Sequence, residues 1–302
     1  MGVRLRAMTK IKTILVPVDF STPSRAALQS AACLAEKYGS SLIVLYVAES
    51  SRSLDNVFSA NPQMADTDLR TFVDEEVEEL VPVKFQIASG KAWVRIVEAA
   101  KNLGVDLIVT GTHGEGGLTH ALLGSTAERV VRHAPCSTLI VHPGRSLDLA
   151  KRRAAMKILV PLDFSAQSKS ALEQAAGWAK KFDAKIDLLH VTPSVVSLAS
   201  YQGIDFSPLQ EQWQAVGKKM LQTWNTRLRA RKIAGQPVLS SGRPANEIIA
   251  QAKKSGTDLI VISTHGYTGL EHALMGSTAE QVVRQAPCPV LVVRPPIQKK
   301  RR

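Results

Sequence analysis

Apolar residues in this chain fall in short, nearly unbroken runs rich in β-branched side chains, separated by longer stretches where apolar positions recur at helical spacing. In the first half the runs are 13–18, 42–47, 83–87, 107–110 and 138–141. Runs that are apolar on both faces predict strands covered on both sides, as in a parallel sheet. Between them, 24–38, 66–79, 92–103 and 125–133 predict helices. Ala26, Ala27, Ala31, Ala32 and Leu34 form the apolar stripe of the first helix, and Gly39 stands where a helix C-terminus wants a residue free to turn left-handed. The second half repeats the series with runs at 158–162, 186–191, 237–240, 259–262 and 290–293, and a longer helix near 208–231. Strands alternating with helices predict an α/β class, here two tandem open doubly wound parallel sheets of five strands each.

The repetition is also literal. Thr-Ile-Leu-Val-Pro-Val-Asp-Phe-Ser from Thr13 matches Lys-Ile-Leu-Val-Pro-Leu-Asp-Phe-Ser from Lys157, an offset of 144 residues, and 112–136 matches 264–288 at an offset of 152 with 19 of 25 positions identical. The extra 8 residues enter between Val47 and Gly90, so the second unit carries the longer insert after its second strand. A period this long means duplicated domains rather than a solenoid of short repeats. The expected boundaries are a first domain at 1–146, a linker at 147–156, a second domain at 157–298 and a basic tail at 299–302.

Composition narrows the picture. Hydrophobic residues are 45% and charged residues 21% of 302, an ordinary globular balance. No run approaches the roughly 18 apolar residues of a spanning helix, and no apolar leader follows the N-terminal basic residues. Cys33, Cys136 and Cys288 make no CxxC pair, which points to reduced thiols and a cytoplasmic location, with Cys136 and Cys288 as buried structural thiols. The net charge of +12 is unevenly placed: residues 1–150 carry 15 Lys and Arg against 16 Asp and Glu, whereas residues 151–302 carry 23 against 10. A polyanion partner is one reading of that basic half; a solvated helix face and tail is the favoured one. Trp93, Trp178, Trp213 and Trp224 read as packing residues.

Open α/β sheets bind ligands at the carboxyl ends of their strands, near the point where strand order reverses. After the fourth strand come Thr110, Gly111, Thr112, His113 and Gly114, and nine residues later Gly124, Ser125 and Thr126 open the next helix. Glycines there permit close backbone approach and positive φ, and a helix N-terminus offers free N–H groups and the positive end of its dipole. That chemistry suits a phosphate chain, with His113 as an additional donor. After the first strand, Pro17, Val18 and Asp19 bring a carboxylate to the same edge, where it suits a ribose hydroxyl or an adenine amino group. The competing reading makes these glycines tight turns of a packed loop and nothing more.

Val-Pro-Val-Asp at 16–19, Gly111-x2-Gly114-x9-Gly124-Ser125 and Ala-Pro-Cys at 134–136, in that order, resemble the universal stress protein family, and the whole chain resembles its tandem two-domain members. The resemblance implies a strand order of 3-2-1-4-5 in each unit, a Rossmann-like sheet of the adenine nucleotide alpha hydrolase-like type. It also implies ATP or a related adenine nucleotide at the carboxyl edge, with Mg²⁺ as a candidate companion. It further implies Val47 against the base, Pro17 and Asp19 flanking base and ribose, and pairing of units through their last strands, here within the chain; a further homodimer and a protein partner that the sequence does not identify are also expected. In the second unit the same positions are Pro161, Asp163, Val191, Ser263, His265, Gly266, Gly276, Ser277 and Thr278. Ser263 replaces a motif glycine. Its Cβ costs little at negative φ and on the order of 1 kcal/mol at positive φ.

Other chemistry is poorly supported. The Walker and dinucleotide glycine patterns are absent. His113 with His120, and His265 with His272, lack a third ligand nearby, so no metal site is expected. Phosphoanhydride hydrolysis needs charge stabilisation and a positioned water, of which only fragments are visible. The expected function is therefore stress-response binding and sensing, ahead of slow ATP hydrolysis or a scaffold without nucleotide.

Overall fold

A computed structural model describes residues 10–49, 62–78, 80–112, 123–147, 155–194, 207–264 and 275–294. They cluster into two compact units, one built chiefly from Lys10–Arg152 and the other chiefly from Arg153–Glu271 and Gly276–Val290.

The first unit runs β1 (Thr13–Val18), α1 (Thr22–Tyr38), β2 (Ser41–Ala48), α2 (Pro62–Asp74), β3 (Val83–Ser89), α3 (Ala92–Asn102), β4 (Leu107–Gly111), α4 (Ser125–His133) and β5 (Ser137–Val141). Its strands lie in the order β3-β2-β1-β4-β5, all parallel. Ile14, Leu15 and Val16 of β1 and Leu107, Ile108 and Val109 of β4 are fully buried, as unbroken apolar runs in a sheet covered on both faces require. Leu15, Ile43, Leu45, Ile96, Ile108 and Val130 form the core beneath α3 and α4, and Val47 packs at its edge.

The second unit runs β6 (Lys157–Pro161), α5 (Ala166–Phe182), β7 (Lys185–Thr192), α6 (Ser207–Ala230), β8 (Gly235–Ser241), α7 (Pro244–Ser255), β9 (Leu259–Ser263), α8 (Ser277–Gln285) and β10 (Val290–Val293), in the order β10-β9-β6-β7-β8. Each sheet thus has the 3-2-1-4-5 order. The length difference between the copies lies where the offset placed it: α6 has 24 residues and α2 has 13.

One helix is displaced from expectation. The apolar pattern predicts a helix over 66–79, whereas α2 begins at Pro62 and stops at Asp74. Proline is favoured in a first helical turn because its missing N–H needs no partner there. At the other end, a run of acids would meet the negative pole of the helix, and the chain turns instead. Glu75 and Glu76 leave the helix to pair with Arg25 of α1, at 2.9 Å for Glu75.

The copies also differ in the core. Asp187 of β7 stands where β2 has Ile43, a core residue. Burial pushes its carboxyl above the usual range, and the charge of Lys157 opposes this only in part. A carboxyl raised by burial loses stability as pH climbs through the ordinary carboxylate range, because the unfolded chain ionises first. Asp187→Ile is therefore expected to raise stability by about 1 kcal/mol at pH 7 and by less at pH 4, measured as the difference in thermal or urea midpoints between variant and wild type.

Candidate functional site

The site begins at the turn between β1 and α1. Asp19 Oδ1 accepts hydrogen bonds from the Ser21 backbone N–H at 3.2 Å and from its hydroxyl at 2.5 Å, while Phe20 between them is left-handed with φ 64°. An aspartate bonded two residues ahead makes an Asx turn, which here offsets the roughly 1–2 kcal/mol strain of a bulky residue in that conformation. Ser21 Oγ in turn accepts the Ser24 N–H and caps α1. The second unit repeats the device: Asp163 Oδ1 holds Ser165 at 3.0 and 2.6 Å, Phe164 has φ 64°, and Ser165 caps α5 through the Ser168 N–H. Each aspartate commits one oxygen to its turn. No hydrogen bond among the described residues reaches the Oδ2 of either.

The second component lies at the end of β4. Gly111 closes the strand, and the Gly124 N–H donates to the Thr112 carbonyl at 2.7 Å, which ties the start of α4 to the sheet edge. In the second unit the Gly276 N–H donates to the Thr264 carbonyl at 2.8 Å and holds α8 in the same way. Gly124 and Gly276 are the N-caps of these helices, and neither cap has a side-chain hydrogen bond, so the first-turn N–H groups have no capping acceptor among the described residues. Ser125 and Ser277 are exposed there, with Thr126 and Thr278 half-buried beside them.

The β1–β4 pairing sets Ile14 against Leu107 and Leu15 against Ile108, so the same register carried to the strand ends brings Val18 level with Gly111. Val18 also pairs with Tyr46 of β2, one residue before Val47. Pro17, Val18, Asp19, Val47, Thr110, Gly111, Gly124, Ser125 and Thr126 therefore converge on the carboxyl edge of the first sheet. Pro161, Asp163, Val191, Ser263, Gly276, Ser277 and Thr278 do so on the second. Thr110 and Ser263 are buried within their strands. His113, Gly114, His265 and Gly266, with His120 and His272, lie outside the described residues. No group of three or more His, Cys, Asp or Glu that could hold a metal occurs among the described residues.

The expectation of positive φ at Gly111 is corrected. Gly111 is not left-handed, and neither is Ser263. The glycine is needed for a different reason: a Cβ there would lie 2.7 Å from the carbonyl carbon and oxygen of Pro23 and 2.8 Å from its Cβ, at the start of α1. In the second unit Gln167 replaces Pro23, and Ser263 keeps a backbone conformation that is not left-handed. The substitution thus carries no backbone strain. Sequence reasoning also missed Phe20 and Phe164, whose left-handed conformations no composition rule signals, although the shared Asp-Phe-Ser was visible.

The arginines of α4 are held away from this edge. Arg132 pairs with Glu128 at 2.8 Å, and the Arg129 guanidinium lies 5.8 Å from the Trp93 ring centre. In α8, Arg284 pairs with Glu280 at 2.7 Å.

A family model described as the universal stress protein family matches residues 10–142 and, a second time, residues 155–294. The chain belongs to the universal stress protein family. Universal stress protein MJ0531 of Methanocaldococcus jannaschii is 35% identical over 154 residues, covering 46% of this chain and 82% of its own length. Universal stress protein YxiE of Bacillus subtilis is 32% identical over 46% of this chain and 98% of its own. A universal stress protein of Mycolicibacterium smegmatis, 26% identical, aligns across 93% of this chain and 97% of its own, so the tandem arrangement is shared. The crystal structure of a universal stress protein from Archaeoglobus fulgidus has the same fold, with a TM-score of 0.69 at 21% identity over 95% of this chain and 97% of that one. No helix among the described residues is long and apolar enough to cross a membrane.

Two predictions concern this part of the universal stress protein. Gly111→Ser is expected to cost about 1–3 kcal/mol of stability by overpacking against α1, while Ser263→Gly costs less than about 1 kcal/mol, both read from denaturant unfolding. Burial, helped by the charge of Asp106, pushes the Cys136 thiol up to about 12. Only the thiolate is nucleophilic, so Cys136 should resist iodoacetamide at pH 8 in the folded protein and alkylate readily in denaturant, as peptide mass mapping would show.

Proposed function

We propose that this universal stress protein binds an adenine nucleotide, ATP in the first place, at the carboxyl edge of each sheet, and that it acts by binding and sensing. The observation that carries the reading is the pair of glycine-capped helix starts, each fastened beside the fourth strand of its sheet. The absence of a side-chain cap leaves N–H donors and the positive helix pole for an anion, and phosphate is the anion that such a glycine-lined start accommodates. Asp19 and Asp163 keep one carboxylate oxygen each for a ribose hydroxyl or an exocyclic amine. Val47 and Val191, at the ends of the neighbouring strands, offer apolar surface to the base. The motif glycines in the order characteristic of the family support the same ligand.

Mg²⁺ bound with ATP would supply charge neutralisation along the phosphates; the chain's own residues bind and orient. Turnover is the weaker reading because Arg25 of α1 is engaged with Glu75 and Glu76, and the α4 arginines with Glu128 and with the face of Trp93. The second site stands close to equivalent to the first, since Ser263 carries no strain. Pairing of the units within the chain, a further homodimer and a protein partner that reads the bound state belong to the same proposal.

Calorimetric titration with ATP and Mg²⁺ tests it. Wild type should bind two equivalents, Gly124→Asp and Gly276→Asp should each lose one, and the double variant should bind at least about tenfold more weakly. Aspartate is a favourable N-cap, so these variants should fold. Absence of saturable heat in wild type, or unchanged stoichiometry in both variants, would sink the reading.

A further inference from the structure

A cavity of about 280 Å³ opens in the second unit between the end of β7 and α6, on the sheet face opposite the one that Val191 supplies to the nucleotide edge. Its walls include Phe164, His190, Trp213, Val216, Gly217 and Met220, and none of the described residues that line it is charged. In the first unit the corresponding place is an aromatic cluster, in which Phe20 lies 5.2 Å from Tyr46 and 5.4 Å from Phe72, and Arg25 covers the Phe72 ring at 4.6 Å. In the second unit His190 replaces Tyr46, Trp224 lies edge-on to Phe164 at 5.7 Å, and the longer α6 runs past the cluster to form the far wall.

His190 is held in a defined state. Its Nδ1 lies 2.7 Å from the Leu162 carbonyl oxygen, which can only accept, so Nδ1 carries a proton, and in the neutral tautomer with that proton Nε2 is the acceptor. No hydrogen bond among the described residues reaches Nε2. The ring packs against Phe164 with centroids 4.5 Å apart and the planes tilted by 39°. Its Cδ2–Nε2 edge faces Gly217, where a Cβ would come within 2.8 Å of Cδ2 and 3.3 Å of Nε2. A glycine inside a helix is disfavoured by its backbone freedom. Here it brings the helix backbone against the histidine edge and shapes the floor of the cavity. Val216 at the rim is 54% exposed, so the cavity communicates with solvent.

We propose that this cavity is a second ligand site, separate from the nucleotide edge, for a small neutral aromatic molecule carrying one N–H or O–H donor. The aromatic and thioether walls favour a flat ring, the uncharged described lining favours a neutral molecule, and Nε2 of His190 as acceptor selects a donor. A volume just under the range of drug-sized pockets limits the ligand to one or two fused rings.

Indole is the probe, with 1-methylindole, which has lost its donor, as the control; both are titrated calorimetrically into the full chain with and without saturating ATP. The site predicts one saturable equivalent of indole, at least fivefold weaker binding of 1-methylindole, and no displacement by ATP. Met220→Trp fills the cavity from within and Val216→Trp from the exposed rim, where folding is not at risk; each should weaken indole at least tenfold. Failure to saturate at millimolar indole, equal affinity for both probes, displacement by ATP, or unchanged binding in both variants would overturn the proposal. A nucleotide titration that fails leaves this test unaffected.

Discussion

One backbone hydrogen bond, made once in each unit, determines what the carboxyl edge of the sheet can do. The N–H of the glycine that starts the fourth helix donates to the carbonyl of the threonine just past the fourth strand, at 2.7 Å in one copy and 2.8 Å in the other. The helix pole is thereby held beside the strand end, and the aspartate of the first strand lies on the neighbouring strand. The bond aligns the first turn with the strand end, on a helix whose Val130 packs into the core.

Much of this was legible in the chain. Unbroken apolar runs gave buried parallel strands because such strands have no polar face to expose, and the duplicated blocks announced two copies with the longer insert in the second. The motif glycines pointed to the correct edge. What could not be read was the reason for one of them. Gly111 looks like a residue chosen for dihedral freedom, whereas its φ is ordinary and the constraint is the approach of Pro23 from a helix start far away in sequence. Tertiary proximity of that kind has no local signature. The end of α2 is hidden for a related reason: the glutamates after Asp74 are good helix formers, and the contact with Arg25 that draws two of them away is non-local.

The two copies also show how duplicated folds diverge while keeping one edge. The Asp-Phe-Ser turn and the glycine-capped helix are retained in both, down to similar distances. The opposite face of the sheet has been rebuilt, with a histidine for a tyrosine and a helix of 24 residues for one of 13. Backbone-mediated chemistry tolerates little change, because its donors are positioned by the fold itself. A side-chain cluster can be remodelled piecemeal.

The contact between Gly111 and Pro23 has a mechanical consequence. The helix start that presses on Gly111 is the one Ser21 caps, and Ser21 is also the residue that grips Asp19. The width of the residue ending the fourth strand therefore works as a spacer, setting how far the whole turn, acid included, stands from the middle of the sheet. Ser263 puts a side chain at the matching place in the second unit, so there the helix start and the strand end must meet with more clearance than in the first, and Leu162 and Ile262 stand for Val18 and Thr110 along that edge.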